Sequence, residues 1–493
     1  MFAQSLKFIS WLTPLRASNR LWMGLAILIL AAVPSWSFGQ PKTPCLFSPS
    51  GVGTDDSQAL AALLRTCRWV QIDGPDIQID QPIELIDDAG QPLHFTTVEP
   101  VPGLSKVTVH TTIDRDPNEI TNPSQAPFDY NGNFQVGSYL RMSTLVGQSS
   151  IVIHDPAALS TQPFAIGDYV LINDTSSQAS LLPRDGAVEV RQIVSSTVGP
   201  APNTIRLDLD RPLHRSHNAN IVVAHCQPIN YVSFRNLEFT TDYDPQASVN
   251  PRPRVGIHLH MAYRAAISGI SSTKWAGFAL ILLDNGGREN IVRDVYATGA
   301  ALYEPNGNGW GIALEGQENS ALWYCGAEGF LEGIVINYSY NTIASESTVR
   351  SGNIGLRVHS DSGNHGSIRS GFVGGSVTGV AIGAVVGPDC QTCTVDVDIS
   401  ANYIGIWILQ FAKNTTIGGS ISKFSTFGIG FDLMNGGMAD GALTSRQTYV
   451  HASVTCNRKN RLALTKGGRV TSYLSSLEQL PWLVLGSVFN QCS

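Results

Sequence analysis

The chain is expected to fold as an all-β solenoid, a parallel β-helix, and three observations carry that expectation. The first is a recurring tetrapeptide of glycine, apolar, any residue, apolar. It occurs as Gly256-Ile257-His258-Leu259, Gly277-Phe278-Ala279-Leu280, Gly311-Ile312-Ala313-Leu314, Gly333-Ile334-Val335-Ile336, Gly355-Leu356-Arg357-Val358, Gly379-Val380-Ala381-Ile382, Gly405-Ile406-Trp407-Ile408 and Gly428-Ile429-Gly430-Phe431. The second is the spacing of those glycines, 21, 34, 22, 22, 24, 26 and 23 residues, a period at which each repeat buries its apolar edge only by stacking on its neighbours. The third is the alternation of apolar and polar residues, which has the period of a strand rather than a helix, with Asn, Ser and Gly at every turn. One strand per coil, stacked in parallel, satisfies all three. The 34-residue step includes Ala297 to Asn308, an excess that reads as a loop leaving the solenoid, and loops of that length are often functional.

The first 39 residues read as an export signal. Lys7, Arg16 and Arg20 are its only charges, Leu21 to Val33 is an apolar core too short for a comfortable membrane span, and Ser37-Phe38-Gly39 offers small residues at a cleavage site. Cleavage would move the net charge from -7 to -10, which gives the mature chain no general attraction to nucleic acid. A secreted or periplasmic protein with no membrane attachment after cleavage is expected, and its oligomeric state is left open. Export permits disulfides whose connectivity the sequence leaves open; Cys45 with Cys67, and Cys456 with Cys492, would each staple one end of the solenoid. Cys390-Gln391-Thr392-Cys393 lacks the second pair a zinc site needs, leaving a tight disulfide or two free thiols.

Gly51-Val52-Gly53-Thr54-Asp55-Asp56-Ser57-Gln58-Ala59-Leu60 opens the folded part, with residues 40–100 as N-terminal cap and first coils. Thr54 or Asp55 can cap a helix running to about Arg65, with Gln58 closing a capping box on Asp55, and Leu60, Leu63 and Leu64 forming its apolar face. This segment resembles the opening motif of the pectate-lyase superfamily of right-handed parallel β-helix proteins, where a glycine-rich turn, Thr-Asp-Asp and a short helix plug the end of the solenoid. The resemblance implies that handedness and an N-terminal capping helix. It does not fix the chemistry, because that superfamily holds lyases, hydrolases, epimerases and phage tailspikes. Gly74-Pro75-Asp76-Ile77 only approximates the Pro-x-Gly-x-Tyr strand that usually follows.

Residues 101–225 leave the glycine period. Ile166 to Ile172, Val188 to Ile193 and Ile205 to Leu209 read as strands of a small inserted antiparallel β-module. Regular coils then fill 226–433, and 434–493 loses the period and is expected to cap the far end.

Alternation also sorts the side chains. If the first and third residues after each glycine point inward, the fourth-position column on the outer face is His260, Ile281, Glu315, Asn337, His359, Gly383, Leu409 and Asp432. The second-position column is His258, Ala279, Ala313, Val335, Arg357, Ala381, Trp407 and Gly430. Coils stack roughly 4.8 Å apart, so Glu315, Asn337 and His359 would form a ladder spanning about 10 Å beside Arg357. Trp407 would offer a plane on which a sugar can stack. The following turns add Tyr338 and Tyr340, and Asp361, Asn364 and His365.

Such a face suits a polysaccharide, and two reactions fit its inventory. A lyase or C5-epimerase abstracts the proton beside a uronate carboxylate, with His359 as base, Arg357 neutralising the carboxylate and Tyr338 donating a proton. An inverting glycoside hydrolase would use Glu315 and Asp361 as its carboxyl pair. His260, His258, Asn337, Trp407 and His365 would bind substrate in either case. Gly363-Asn364-His365-Gly366-Ser367-Ile368 resembles the Gly-His-Gly-x-Ser-Ile motif of polygalacturonases, yet that family's Asn-Thr-Asp, paired aspartates and Arg-Ile-Lys are missing. His359-Ser360-Asp361 carries the residue types of the alginate epimerases' Asp-Pro-His in reverse order. Histidine and arginine outnumber carboxylates on this face, which favours elimination. A non-catalytic glycan binder of adhesin or tailspike type is the alternative. No cofactor is expected, and no metal, since the middle coils lack an acidic cluster of calcium-ligand density.

Overall fold

The computed structural model describes residues 43–87, 89–113, 126–173, 188–241, 255–300, 309–359, 366–409, 412–425, 427–431, 448–450, 453–454 and 470–472. The export segment, Cys456, Cys492, Asp361, Asn364 and His365 lie outside them, as do residues 301–308 of the long repeat step. The fold is a right-handed parallel β-helix with one capping helix and an inserted antiparallel module.

Each regular coil carries three strands, where the glycine period pointed to one. Two of the three are commonly only three residues long, such as Ile291–Arg293 and Tyr296–Thr298, so their alternation is too short to register in a sequence pattern. The third sheet holds the glycine repeats: β1 (Phe128–Asn131), β2 (Val255–His260), β3 (Ala279–Asp284), β4 (Trp310–Glu315), β5 (Gly326–Asn337), β6 (Ile343–His359), β7 (Gly371–Val386), β8 (Ile404–Ile408) and β9 (Phe427–Phe431). In β5, β6 and β7 the chain passes round the bend from the second sheet to the third without losing its pairing.

The register of the third sheet explains the repeated glycine. Ile257, Ile281, Ile312, Ile334, Leu356, Ala384, Ile406 and Ile429 pair in succession as one inward column. Leu259, Leu283, Leu314, Ile336, Val358, Val386 and Ile408 form another, and all belong to the solenoid core. One residue before the first column, a Cβ on Gly311, Gly333, Gly355, Gly383 or Gly405 would lie 2.4–2.6 Å from the carbonyl oxygen of the next glycine in the stack. The chain bends there and neighbouring backbones close in, so only hydrogen fits.

Two of the eight repeats are displaced from this column. Gly379 has φ +68° and its Cβ position meets nothing closer than Ser351 N at 3.5 Å, so it serves a turn, and Gly383 is the column glycine of that coil. In the coil of Gly277 the place belongs to Leu280, whose carbonyl lies 2.7 Å from the Cβ position of Gly256. The outward columns of these coils are therefore Leu282 with Asp284, and Val385 with the position of Gly387, in place of Ala279 with Ile281 and Ala381 with Gly383.

Helix α1 (Ser57–Thr66) covers the first coil with Leu60 and Leu64 fully buried and Leu63 partly so. Its N-cap is Asp56, not Thr54 or Asp55, and the Asp56 carboxylate makes no capping bond to the helix but accepts from Ser50 N at 3.1 Å. Asp55 instead accepts from Ser57 N and, at 3.1 Å, from Asp80 N, tying the helix start to the next turn. The Cys45–Cys67 disulfide joins the first strand to the end of α1, and Cys226, Cys325, Cys390 and Cys393 are free, buried thiols.

The antiparallel module is a six-stranded sheet of Asn133–Tyr139, Ser150–His154, Tyr169–Asn173, Val188–Val198, Thr204–Leu209 and Val222–Gln227. It starts later than residue 101, because Val107–Thr111 and β1 pair with solenoid strands. Parallel pairing also persists past 433: Thr448–Val450 and Val470–Ser472 continue the first sheet.

The module docks on the turns that follow the third sheet. Leu171, Val190, Val222 and Ala224 pack on Met261 and Tyr263. Beside them runs a buried ionic seam. Arg191, fully buried, donates to Glu189 and, at 2.8 Å, to Glu318 of the solenoid, while Arg288 meets Asp210 at 3.1 Å and Arg211 meets Glu289 at 2.6 Å. Arg215 donates to the carbonyls of Tyr338 (2.8 Å) and Gly366 (2.9 Å). Burial opposes the charge on Glu189 and Glu318, yet His217 and Arg191 bring Glu189 down to about 2, and His214 and Arg191 do the same for Glu318.

Two outcomes are expected. Gly333→Ala places a Cβ 2.5 Å from Val349 Cγ1 and 2.6 Å from Gly355 O. It should cost roughly 1–3 kcal/mol in urea unfolding, and an unchanged midpoint would remove the steric account of the column. Because both seam carboxylates titrate below their ordinary 4.5 in the folded state, their contribution is complete above that pH and fades as pH falls towards about 2. Glu318→Gln should lose about 1–3 kcal/mol at neutral pH, because Arg191 keeps Glu189 but loses its second carboxylate, and should flatten the acid limb of a melting-temperature profile.

Candidate functional site

The outward face of the third sheet collects the ionisable groups. Its fourth-position column, in the register observed, is His260, Asp284, Glu315, Asn337 and His359, one residue from each of β2 to β6. The column ends where β7 offers Gly387: a Cβ there would lie 2.0 Å from His359 Cβ, so the histidine occupies that space. The second-position column is Asp129, His258, Leu282, Ala313, Val335, Arg357, Val385 and Trp407.

At the N-terminal end of the columns four groups interlock. His258 Nδ1 lies 3.0 Å from Asp129 Oδ1 and its Nε2 lies 3.0 Å from Asp284 Oδ2. The second oxygen of Asp284 is 3.0 Å from His260 Nδ1, which also lies 2.6 Å from Asn285 Nδ2. Burial disfavours a charged His258, but the flanking Asp284 and Asp129 outweigh it and hold its pKa up at about 10. Asp284 is correspondingly held well below the usual carboxylate range, its burial offset by His258 and His260.

The middle of the face is built differently. Glu315 is partly exposed and accepts from Asn337 Nδ2 at 2.8 Å. Arg357 bonds Glu332, which stands at the other end of the strand segment that carries Asn337. Leu282, Ala313 and Val335 of the second-position column form an apolar patch with Val255 and Ala279, with Phe278 and Trp310 packed against it, ring centroids 4.8 Å apart.

The residues proposed from sequence thus meet mixed fates. His359, Asn337, Glu315 and His260 do share one column, and His258 and Arg357 share the other. Asn337 and His359 are fully buried, however, and His258, His260 and Tyr338 nearly so, where an open ladder was expected. Val335 is likewise outside the solenoid core and yet completely covered. Tyr338 sits in the turn at φ 49°, under the Arg215 guanidinium that binds its carbonyl. Trp407 is partly exposed on β8. Tyr340 is stacked on His214 of the module at 3.5 Å.

Asp284, Asp129 and Glu332 were missed. For Asp284 a signal existed: the run Leu280-Ile281-Leu282-Leu283 ends in Asp284-Asn285-Gly286, as Ile312-Ala313-Leu314 ends in Glu315-Gly316. Counting back from the turn, rather than forward from Gly277, gives the right register.

No family model and no curated protein sequence matches the chain. Among solved structures it is similar to the tailspike of Acinetobacter baumannii bacteriophage AP22, in complex with a capsular saccharide, at 15% identity over 85% of this chain and 70% of that one, TM-score 0.42. A double mutant of the tailspike of E. coli bacteriophage HK620, in complex with a pentasaccharide, matches at 11% identity over 86% of this chain and 62% of its own, TM-score 0.48. A glycoside hydrolase matches at 9% identity over 87% and 96%, TM-score 0.29. The likeness is one of fold. No site residue is carried over from it.

The pair of Glu332 and Arg357 gives a direct check of the site's geometry. A double-mutant cycle with Glu332→Gln and Arg357→Met should return a coupling of about 0.5–3 kcal/mol in thermal unfolding. Additive effects would mean that the arginine does not bend back to its own sheet and stays available to a ligand.

Proposed function

We propose that this protein is exported and acts on a polysaccharide lying along the outward face of the third sheet, with hydrolysis the favoured reaction and Glu315 its proton donor. The observation that carries this reading is the contrast between accessible and buried groups in one column. His359, the base that elimination would need, is fully buried, and Arg357 has its charge met by Glu332. Glu315 is partly exposed at the centre, with one oxygen held by the Asn337 amide, and aromatic rings stand on the same face at Trp310 and Trp407. A carboxyl group fixed on a rigid strand beside stacking surfaces is what protonation of a glycosidic oxygen requires.

The solved tailspikes in complex with saccharides and the hydrolase of similar fold are consistent with a glycan ligand. Membership of the pectate-lyase superfamily remains a proposal resting on the Gly-Val-Gly-Thr-Asp-Asp segment. So does export, which rests on the first 39 residues.

The test is incubation with panels of acidic and neutral polysaccharides. New reducing ends without the ultraviolet absorbance of unsaturated uronates support hydrolysis, and Glu315→Gln should then lower the rate roughly 10²–10⁴-fold at unchanged melting temperature. Appearance of that absorbance would move the reaction to elimination, and saturable binding without products would make the protein a glycan binder.

A further inference from the structure

The His258, His260 and Asp284 cluster goes beyond this reading. We propose that it is a binding site for a divalent transition-metal ion of the zinc class, with His258 Nε2, His260 Nδ1 and the Asp284 carboxylate as ligands and Asp129 orienting His258. The sequence leads to an expectation of no metal because the middle coils lack an acidic cluster of calcium-ligand density; both histidines are assigned to substrate there, and Asp284 is not placed beside them.

Geometry and donor chemistry support the site. The three ligand atoms lie within 4.8 Å of one another, on the ends of two adjacent strands whose backbones are fixed by the stack. Two imidazoles and a carboxylate are the donor set of catalytic zinc sites, which leave a position open for water or substrate. Asp129 supplies what such sites place behind a ligand. It accepts from His258 Nδ1 at 3.0 Å, which leaves the opposite nitrogen to face Asp284 and fixes the ring plane. Asp129 is itself fully buried on β1, one coil earlier.

His260 Nδ1 has both Asp284 Oδ1, at 3.0 Å, and the Asn285 side-chain amide, at 2.6 Å, beside it, so a further oxygen-bearing side chain stands next to the ligand set. Asp129 is fully buried and Asp284 partly so, and both carboxylates stand beside the position a dication would take. The open position would face the coil of Glu315, where an oxygen of a glycan can complete the coordination.

The experiment needs no glycan, so its failure is separable from failure of the hydrolase reading. Full-length protein is stripped with a chelator, dialysed against micromolar Zn²⁺ and assayed for bound metal, and the Co²⁺-loaded form is read by its visible absorption. About one equivalent of zinc per chain and the intense bands of low-coordinate cobalt are expected. His260→Ala and Asp284→Asn should abolish both signals, and Asp129→Asn, which keeps all three ligands, should weaken zinc affinity roughly 10–100-fold. Wild-type protein that melts normally and retains no metal overturns the proposal. Zinc retained equally by His260→Ala overturns it as well, by placing the ion elsewhere, for instance on the Cys390 and Cys393 thiols.

Discussion

Close backbone approach at one bend is the constraint on which the rest of this structure depends. Where each coil turns into the third sheet, successive glycines stack with no room for a Cβ, the next carbonyl oxygen being 2.4–2.6 Å from where it would be. That contact sets the phase of every strand that follows. Because strand side chains alternate with a period of two, a fixed phase at the bend decides which residues enter the core and which leave it. Ile334 and Ile336 go in and Val335 and Asn337 go out for this reason, independent of their own preferences. The columns of ionisable groups are thus a consequence of backbone packing.

The module is tied to the solenoid just beyond those columns. It reaches the turns that follow the third sheet through Arg215 on two solenoid carbonyls and Arg191 between Glu189 and Glu318. Ions so deeply buried are stable only when every charge is met, and a seam of this kind adds more to precise placement than to net stability. It fixes the module against the solenoid turns at defined points, although the module contributes none of the groups in the columns.

Much of the fold was legible in the sequence because the glycine constraint recurs often enough to show as a period. The inward columns were legible for six coils of eight. They failed at Gly277 and Gly379, where a turn glycine imitates the column glycine, and a sequence cannot tell a glycine needed for φ +68° from one needed for lack of space. Each slip moved the outward residues of its coil, and the slip at Gly277 hid Asp284. The three-strand coil was not legible either, since strands of three residues carry too little alternation. The covering of the Tyr338 turn was invisible for another reason: Arg215, which binds the Tyr338 carbonyl, is more than a hundred positions away in the chain and is brought close only by docking of the module.

The division of labour along the face follows from these constraints. At the N-terminal end, Asp129, His258, Asp284 and His260 engage one another closely, so that no member can alter its charge without disturbing the next. Such a cluster is suited to holding something fixed, whether a proton or a metal ion, and poorly suited to exchanging protons with a substrate. One coil further on, Glu315 accepts from the Asn337 amide and keeps partial access to solvent. A group that must give up and regain a proton in each turnover needs such access. Further along, Arg357 is committed to Glu332, and Val385 and Trp407 offer only apolar and aromatic surface. A long glycan laid across the stack would accordingly meet a rigid polar anchor, the partly exposed Glu315 carboxyl and a stacking surface in succession along the stack.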